Sequence, residues 1–514
     1  MKQIKKITSI LLSRLFMAAV AIFVQFGWIF LTLYHFSLNY TFVDICIRIL
    51  AVIVALKVIN NWSNPYYKLA WTFIILLFPL FGICLYLVFG RSELTKRTQE
   101  RMDLMHLEIT ECLKEDPLAI RELKAADKEA AMQSKYIHDL AQAPLYRNSK
   151  TKYYACGEDM FQDMLGAMER AKDFIFLEYF IIAEGNMLEK VLAVLERKVR
   201  EGVKVRLIYD DVGSIKTIPP HFKKRLSDMG ISCAVFNPFR PILSIILNNR
   251  DHRKILVVDG QVGFTGGINI ADEYINEKVR FGYWKDTGIE IKGEAVWSLT
   301  TMFLEMWNYI NQTKEDYYQY LPDIYNKKIN PKDGYVQPYG DTPLDHENVG
   351  ENVYLNMINR AKKYVYIYTP YLIVDNEMTV ALENAAKCGV DVRIVTPGIP
   401  DKKLIFLLTQ SYYEQLILNG VKIYQYTPGF LHGKCFVCDD KIATVGTINL
   451  DYRSLYLHFE CGVFMYRSQA VMELKQDVLD TIAGSKQITL DFCRNRNIFS
   501  KLLQSILRLF APLL

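Results

Sequence analysis

Two stretches near the start of the chain carry no charge for the length of a membrane span. Leu15 to Tyr34 is uncharged over 20 positions and Leu69 to Phe89 over 21. A helix needs about 20 apolar residues to cross the hydrocarbon core, so both runs are predicted spans. The first is too long for the apolar region of a signal peptide, and no small-residue cleavage site follows it. Between them Ile45 to Ile59 is apolar but carries Arg48 and Lys57, which suits an interfacial or re-entrant helix, with a third span left open. Lys2, Lys5, Lys6 and Arg14 precede the first run, and Arg91, Lys96, Arg97 and Arg101 follow the last. Basic residues on both flanks place both on the cytoplasmic side, which requires an even number of crossings. Residues 1–92 are therefore read as a transmembrane anchor with two spans. Residues 93–145, rich in Glu, Lys, Leu and Ala, read as a solvated helical linker.

Beyond the linker the pattern changes to short apolar strands alternating with helices, and it runs twice. Phe174 to Ile182, Gly202 to Tyr209 and Gly230 to Phe236 form the first series. Tyr364 to Tyr371, Gly389 to Val395 and Gly420 to Gln425 form the second. Such alternation predicts two similar α/β halves, each with a largely parallel sheet, at residues 146–330 and 331–514. The two halves are expected to pack as a pseudo-twofold pair. At the C-terminal end Ile498, Phe499, Leu502, Leu503, Ile506, Leu509 and Phe510 recur at helical spacing opposite Lys501, Gln504, Ser505 and Arg508. That is an amphipathic helix, suited to lying on anionic lipid or to packing on its own domain.

The chemistry sits in a duplicated motif. His252 is followed by Lys254, Asp259, Gly266 and Asn269; His432 is followed by Lys434, Asp439, Gly446 and Asn449 at the same spacings. His and Lys two apart on a strand share a face, so each pair can reach one ligand. Pairing the halves would put two imidazoles, two ammonium groups and two amides (Asn269 and Asn449) around one anion. A phosphodiester resists attack because its oxygens are negative and its alkoxide leaves poorly. Lys254 and Lys434 can neutralise that charge. One His can attack phosphorus, while the other protonates the leaving alkoxide and later deprotonates the acceptor. No metal or other cofactor is called for. Each imidazole also needs an acceptor to orient it. Asp259 and Asp439 are in the motif but fall at the far end of the strand, so Asp286 and Glu460 are the stronger candidates, with Glu273 behind them.

Composition limits the alternatives. With 514 residues, 51% of them hydrophobic and 23% charged, the chain is neither a small scaffold nor a disordered one. A net charge of +5 is too small for a nucleic-acid coat and compatible with an anionic lipid surface. The ten cysteines are scattered; Cys435 and Cys438 lack a second pair at zinc-site spacing, which favours a reducing compartment.

The motif residues resemble the phospholipase D superfamily, whose signature is H-x-K-x4-D-x6-G-x2-N. Within it, residues from about 60 to the C-terminus resemble the bacterial cardiolipin synthases. Asn64 to Trp71, Phe89-Gly-Arg91, Phe264 to Tyr274, Thr369-Pro-Tyr371 and Val445 to Ser454 carry that likeness, and Val374 departs from it where proline is expected. The resemblance implies two halves sharing one active site and a phosphohistidine intermediate. It also implies phosphatidyl transfer between two phosphatidylglycerol molecules, giving cardiolipin and glycerol. His252 is the expected nucleophile and His432 the expected general acid/base. The expected setting is the bacterial plasma membrane, with the catalytic part facing the cytoplasm, anionic lipid as partner and no nucleic acid. The same motifs would also serve a phospholipase, a transferase with another acceptor or a nuclease. A membrane protein that binds lipid without catalysis is a further alternative.

Overall fold

The structure is a computed structural model describing residues 41–90, 109–238, 249–322, 333–345 and 347–513, with six further positions between 27 and 34. The chain divides into a unit built mainly on residues 1–93 and a larger unit built on residues 94–238 and 249–511.

In the first unit, three helices follow one another: α1 (Thr41–Ile59), α2 (Pro65–Leu77) and α3 (Pro79–Phe89). Asn64 caps α2 by accepting from the Tyr66 N–H, with Pro65 in the first helical position, where its missing donor costs nothing. The apolar run Leu69 to Phe89 is not one helix. Pro79 drives Phe78 out of helical conformation (φ −129°, ψ 75°) and the chain restarts as α3. Ala51, Ala55, Val58, Trp71, Ile75, Ile83 and Tyr86 pack the three helices together. Phe42, Ile49, Ile53, Leu69 and Leu76 face outward. Among the described residues no helix is long and apolar enough to cross a membrane. Most of the run 15–34 lies outside those residues.

The second unit contains two sheets built to one plan. The first half supplies β1 (Ser149–Tyr154), β2 (Phe174–Tyr179), β3 (Lys204–Asp210), β4 (Ser232–Phe236), β5 (Arg250–Asp251), β6 (Lys254–Val258), β7 (Val262–Gly266), β8 (Tyr283–Lys285) and β9 (Gly288–Gly293). The second supplies β10 (Tyr335–Asp341), β11 (Tyr364–Tyr368), β12 (Asp391–Pro397), β13 (Lys422–Tyr426), β14 (Gly429–Leu431), β15 (Cys435–Cys438), β16 (Ile442–Gly446), β17 (His458–Tyr466) and β18 (Ser485–Gln487). The strand orders β1-β9-β7-β6-β2-β3-β4 and β10-β17-β16-β15-β11-β12-β13 correspond position for position, and β18 extends the second. One apolar core joins both sheets. Phe176, Val257, Ile291 and Phe303 from the first half meet Val336, Val437, Val445 and Met465 from the second.

The sheets are mixed, not largely parallel. Within these two strand orders, β2-β3-β4 and β11-β12-β13 run parallel, while the strands carrying the motifs pair antiparallel. The reason is local. β6 and β7 form a hairpin through Asp259 (φ 52°) and Gly260 (φ 63°), and β15 and β16 do so through Asp439 (φ 54°) and Asp440 (φ 59°). Asp and Gly tolerate this left-handed conformation best, so the motif's own aspartate makes the chain turn back.

These aspartates also clamp the neighbouring strand. Asp259 accepts from the N–H groups of Lys172, Asp173 and Phe174 at 2.8, 2.9 and 2.8 Å, at the entry to β2. Asp439 accepts from Lys362, Lys363 and Tyr364 at 2.7, 2.9 and 3.0 Å, at the entry to β11. Both lie in the turns at the far end of the motif strands, so the structure does not bring Asp259 or Asp439 to the imidazoles. The linker is corrected as well. Helix Lys128–Ala141 buries Ser134 and Ile137, and Gln337 donates to the Ser134 and Ala143 carbonyls at 3.0 and 2.7 Å, docking the segment on the second half.

Asp259→Ala removes three charge-assisted hydrogen bonds and puts an unsuited residue at positive φ. It is expected to lower stability by about 2 kcal/mol in chemical denaturation of the purified protein. The pH profile of the enzyme that remains folded stays unchanged. Lost turnover at unchanged stability would return Asp259 to the site.

Candidate active site

Each motif histidine is placed by a short strand that pairs with the opposite half. β5, just before His252, runs parallel to the start of β17, and the His252 N–H donates to the Phe459 carbonyl at 2.9 Å. β14, just before His432, runs parallel to β8, and the His432 N–H donates to the Lys285 carbonyl at 2.7 Å. Each imidazole therefore meets a carboxylate from the other half. His252 Nδ1 lies 2.9 and 3.0 Å from the two oxygens of Glu460, and His432 Nδ1 lies 2.7 Å from Asp286 Oδ2. Both imidazoles are buried, and both carboxylates are sealed from solvent.

A carboxylate only accepts, so each Nδ1 carries the proton and each Nε2 keeps its lone pair. Burial, reinforced by Lys254 and Lys434, pushes the His252 pKa well below 6.5. Burial and then Lys434 bring His432 down to about 4 against the opposing pull of Asp286. Burial raises Asp286, but His432 and Lys434 together outweigh it and hold the carboxyl below its ordinary value. The lysines are buried too. Lys254 Nζ donates to the His252 carbonyl at 2.5 Å, and Lys434 Nζ donates to that of His432. Burial lowers Lys254 to about 8 and Lys434 to about 7. An arriving phosphodiester anion favours the protonated lysines and a proton on one imidazole, while the other keeps its Nε2 lone pair for attack.

The amides serve differently. Asn269 accepts from the Ile181 N–H at 3.0 Å and donates to the Tyr274 hydroxyl at 2.7 Å, fixing a ring that meets His432 edge-on at 5.5 Å. The Asn449 side-chain oxygen is buried with no hydrogen-bond partner. Glu273 pairs with Arg280 at 3.0 Å and reaches neither imidazole.

Several residues that the motif did not single out complete the site. Trp284 donates to Asp286 Oδ2 at 3.3 Å, with its ring 5.3 Å from that of His432, and Phe430 lies on the same imidazole at 5.7 Å. Thr447 donates to Glu460 Oε2. Phe180 meets His252 edge-on at 5.0 Å, and His458 lies 5.5 Å from it. Strand alternation was the available signal, because Trp284 and His458 stand two residues before Asp286 and Glu460 and share their faces. At Gly267 a Cβ would stand 1.9 Å from Asp286 Oδ1, so glycine is what admits this carboxylate.

His458 is buried, with neither ring nitrogen hydrogen-bonded and Nδ1 3.7 Å from Glu460. His252, His458 and Glu460 bring ligand-type atoms within 4.8 Å of one another, the one such group among the described residues. The two buried lysines acting on His252 give this place a positive field that suits an anion better than a cation.

Two matched halves sharing one His-Lys site define a phospholipase D-like protein. Residues 164–307 and 354–481 match the family described as cardiolipin synthase, PLD-like domain, and residues 49–91 match the one described as phospholipase D-nuclease N-terminal. Over 456 residues the chain is 35% identical to the cardiolipin synthase of Alkalihalophilus pseudofirmus, covering 88% of this chain and 90% of that one. It is 34% identical over 467 residues to that of Geobacillus kaustophilus, covering 90% and 92%. A Streptococcus mutans protein is 44% identical over 460 residues, covering 89% and 99%. The solved structure of phosphatidylserine synthase from Haemophilus influenzae shares the fold, with a TM-score of 0.55 at 14% identity, covering 74% of this chain and 97% of that one. The chain belongs to the cardiolipin synthase family of phospholipase D-like proteins.

The buried imidazoles set a pH dependence of stability. His432 and His458 both have folded pKa values near 4 against 6.5 when unperturbed. The unfolded chain binds protons more readily, so their contribution is complete above about pH 6.5 and is lost as pH falls toward 4. His458→Asn removes one of these groups. The wild-type denaturation midpoint should therefore drop further than the variant's between about pH 7 and 4.5. Parallel curves would mean that His458 is not buried as a neutral ring.

Proposed function

We propose that the protein is a cardiolipin synthase that moves a phosphatidyl group from one phosphatidylglycerol to another through a phosphohistidine. The observation that carries this reading is the pair of buried imidazoles, each with Nδ1 held by a carboxylate from the opposite half and Nε2 left with its lone pair. His252 is assigned as nucleophile, following the family's tendency toward the N-terminal motif.

In the first step the His252 Nε2 lone pair attacks phosphorus, and the bond from phosphorus to the glycerol oxygen breaks. His432, protonated once the anion is bound, delivers its Nε2 proton to that oxygen and free glycerol leaves. Lys254 and Lys434 balance charge on the phosphoryl oxygens. In the second step His432 takes the proton from a hydroxyl of a second phosphatidylglycerol. That oxygen attacks phosphorus, and the P–N bond returns its electrons to His252. Glu460 and Asp286 hold the rings through both steps and stabilise each imidazolium as it forms. Phe180, Trp284, Phe430 and Tyr274 crowd both imidazoles, which favours an alcohol delivered by lipid over bulk water.

The acceptor is a lipid because the catalytic halves are tethered at the bilayer, where a lipid hydroxyl is locally concentrated. Residues 1–92 are assigned as a multi-pass anchor in the bacterial plasma membrane. The outward apolar faces of α1 and α2 and the basic residues on both flanks support that placement, with the catalytic halves on the cytoplasmic side. The modest net charge of +5 fits a lipid substrate better than nucleic acid.

With phosphatidylglycerol as sole lipid and a chelator present, purified protein should release glycerol and form cardiolipin one for one. His252→Ala and His432→Ala should each lower turnover by about a thousandfold or more. Phosphatidic acid as the main product would make the protein a hydrolase. Turnover only after another alcohol is added would move the acceptor.

A further inference from the structure

Two helices on the second half expose an apolar surface that the chemistry above does not use. Helix Ile498–Phe510 presents Ile498, Phe499, Leu502, Leu503 and Ile506, exposed by 78, 80, 60, 39 and 47%. Its other face holds it to the catalytic unit. Gln504, buried, donates to the Leu407 carbonyl at 3.0 Å, and the Arg508 guanidinium lies 4.5 Å over the Tyr412 ring. The helix thus packs on helix Lys403–Thr409, which adds Leu404 at 59% exposure. One face of the helix is packed on its own domain and the opposite, apolar face is exposed.

The surface adjoins the loop at Tyr371. Lys402, the residue before helix Lys403–Thr409, adds its charge to those that lower the His252 pKa and lies 5.7 Å over the Tyr371 ring. Tyr371 is fixed by donating to Asp401 at 2.7 Å, and Thr409, at the other end of the helix, accepts from the Leu372 N–H at 3.2 Å. The helix is therefore tied at both ends to the Thr369-Pro-Tyr371 loop. The charge is one-sided. Residues 492–510 contain Arg494, Arg496, Lys501 and Arg508, and residues 402–410 contain Lys402 and Lys403; the nearest acids in the chain, Asp491 and Asp401, precede these stretches, and Asp401 accepts from Tyr371. Nearby, Glu414 pairs with Arg494 at 3.4 Å.

We infer that helices Lys403–Thr409 and Ile498–Phe510 form a docking platform for the surface of an anionic bilayer, placing the catalytic rim at the headgroup level. Apolar side chains flanked by basic ones, without intervening acids, match an interface with acyl chains below and negative headgroups around. A protein partner would not need so uniform a charge. Lipid then enters the site from the plane in which it already lies, with Lys402 meeting the incoming phosphate. This use of the surface rests on a phospholipid substrate, but the lipid contact itself is measured without reference to any product.

The test uses the full chain reconstituted in vesicles containing phosphatidylglycerol and a diazirine-bearing lipid. After irradiation, peptides covering 498–506 and 403–407 should carry the lipid adduct, and Phe499→Ser with Leu502→Ser should remove it. The same double variant should lose at least about tenfold in turnover on vesicle phosphatidylglycerol. It should keep its turnover on a short-chain phosphatidylglycerol below its critical micelle concentration. An equal loss on both substrates, absence of label from 498–506, or cross-linking of Lys501 to a second copy would each overturn the platform. Labelling without cardiolipin formation would keep the platform and reject the proposed activity.

Discussion

Neither half of this protein orients its own histidine. His252 is held by Glu460 and His432 by Asp286, across the boundary between halves in both cases. A buried carboxylate with no partner is costly, and so is a buried imidazole free to rotate, so docking of the halves is what makes each of these groups tolerable. Backbone pairing enforces it: β5 adds to β17 and β14 adds to β8, each immediately before a histidine. The register of those short parallel pairs fixes where the rings stand. The site is thus a property of the interface, and the shared core of aromatic and β-branched residues beneath it supplies the rigidity.

The pseudo-symmetry holds for the backbone and is broken in the side chains. On one side the shorter Asp286 is braced by the Trp284 indole and the Thr287 N–H, with Gly267 making room. On the other the longer Glu460 is braced by the Thr447 hydroxyl, and a histidine stands in the place of the tryptophan. The two imidazoles consequently work in different surroundings: His432 among aromatic rings, His252 beside a second buried imidazole. The proposed reaction gives the rings different roles, one bonding to phosphorus and the other carrying protons, and the unequal surroundings suit that division. The duplicated motif alone does not show it.

The duplication itself was legible. Equal spacing of His, Lys, Asp, Gly and Asn in two places predicts two halves around one anion, and the strand orders repeat accordingly. Asp286 and Glu460 could be picked out as candidate acids, but the crossing of partners could not, because it depends on how two folded sheets dock. Asp259 and Asp439 are expected at the far end of their strands and stand there, but their part in turning the chain and clamping the next strand was not legible from the motif spacing. The same hairpins made the sheets mixed where strand-helix alternation implied parallel ones. In the first unit, Pro79 within the apolar run 69–89 is tolerable inside one helix on sequence grounds, whereas Phe78 before it leaves the helical conformation and the run divides in two.

The crossed pairing of each histidine with a carboxylate of the other half shows most directly in the attack step. A phosphatidyl donor with an activated leaving group needs no general acid, so it isolates the attack by His252. Mass spectrometry of the quenched enzyme should then find the phosphatidyl adduct on His252 in the wild type and in Asp286→Asn. In Glu460→Gln the adduct should be almost absent, although Glu460 lies in the half that does not carry the nucleophile. Retention of the adduct in Glu460→Gln with its loss in Asp286→Asn, or an adduct on His432, would contradict the crossed arrangement and the roles drawn from it.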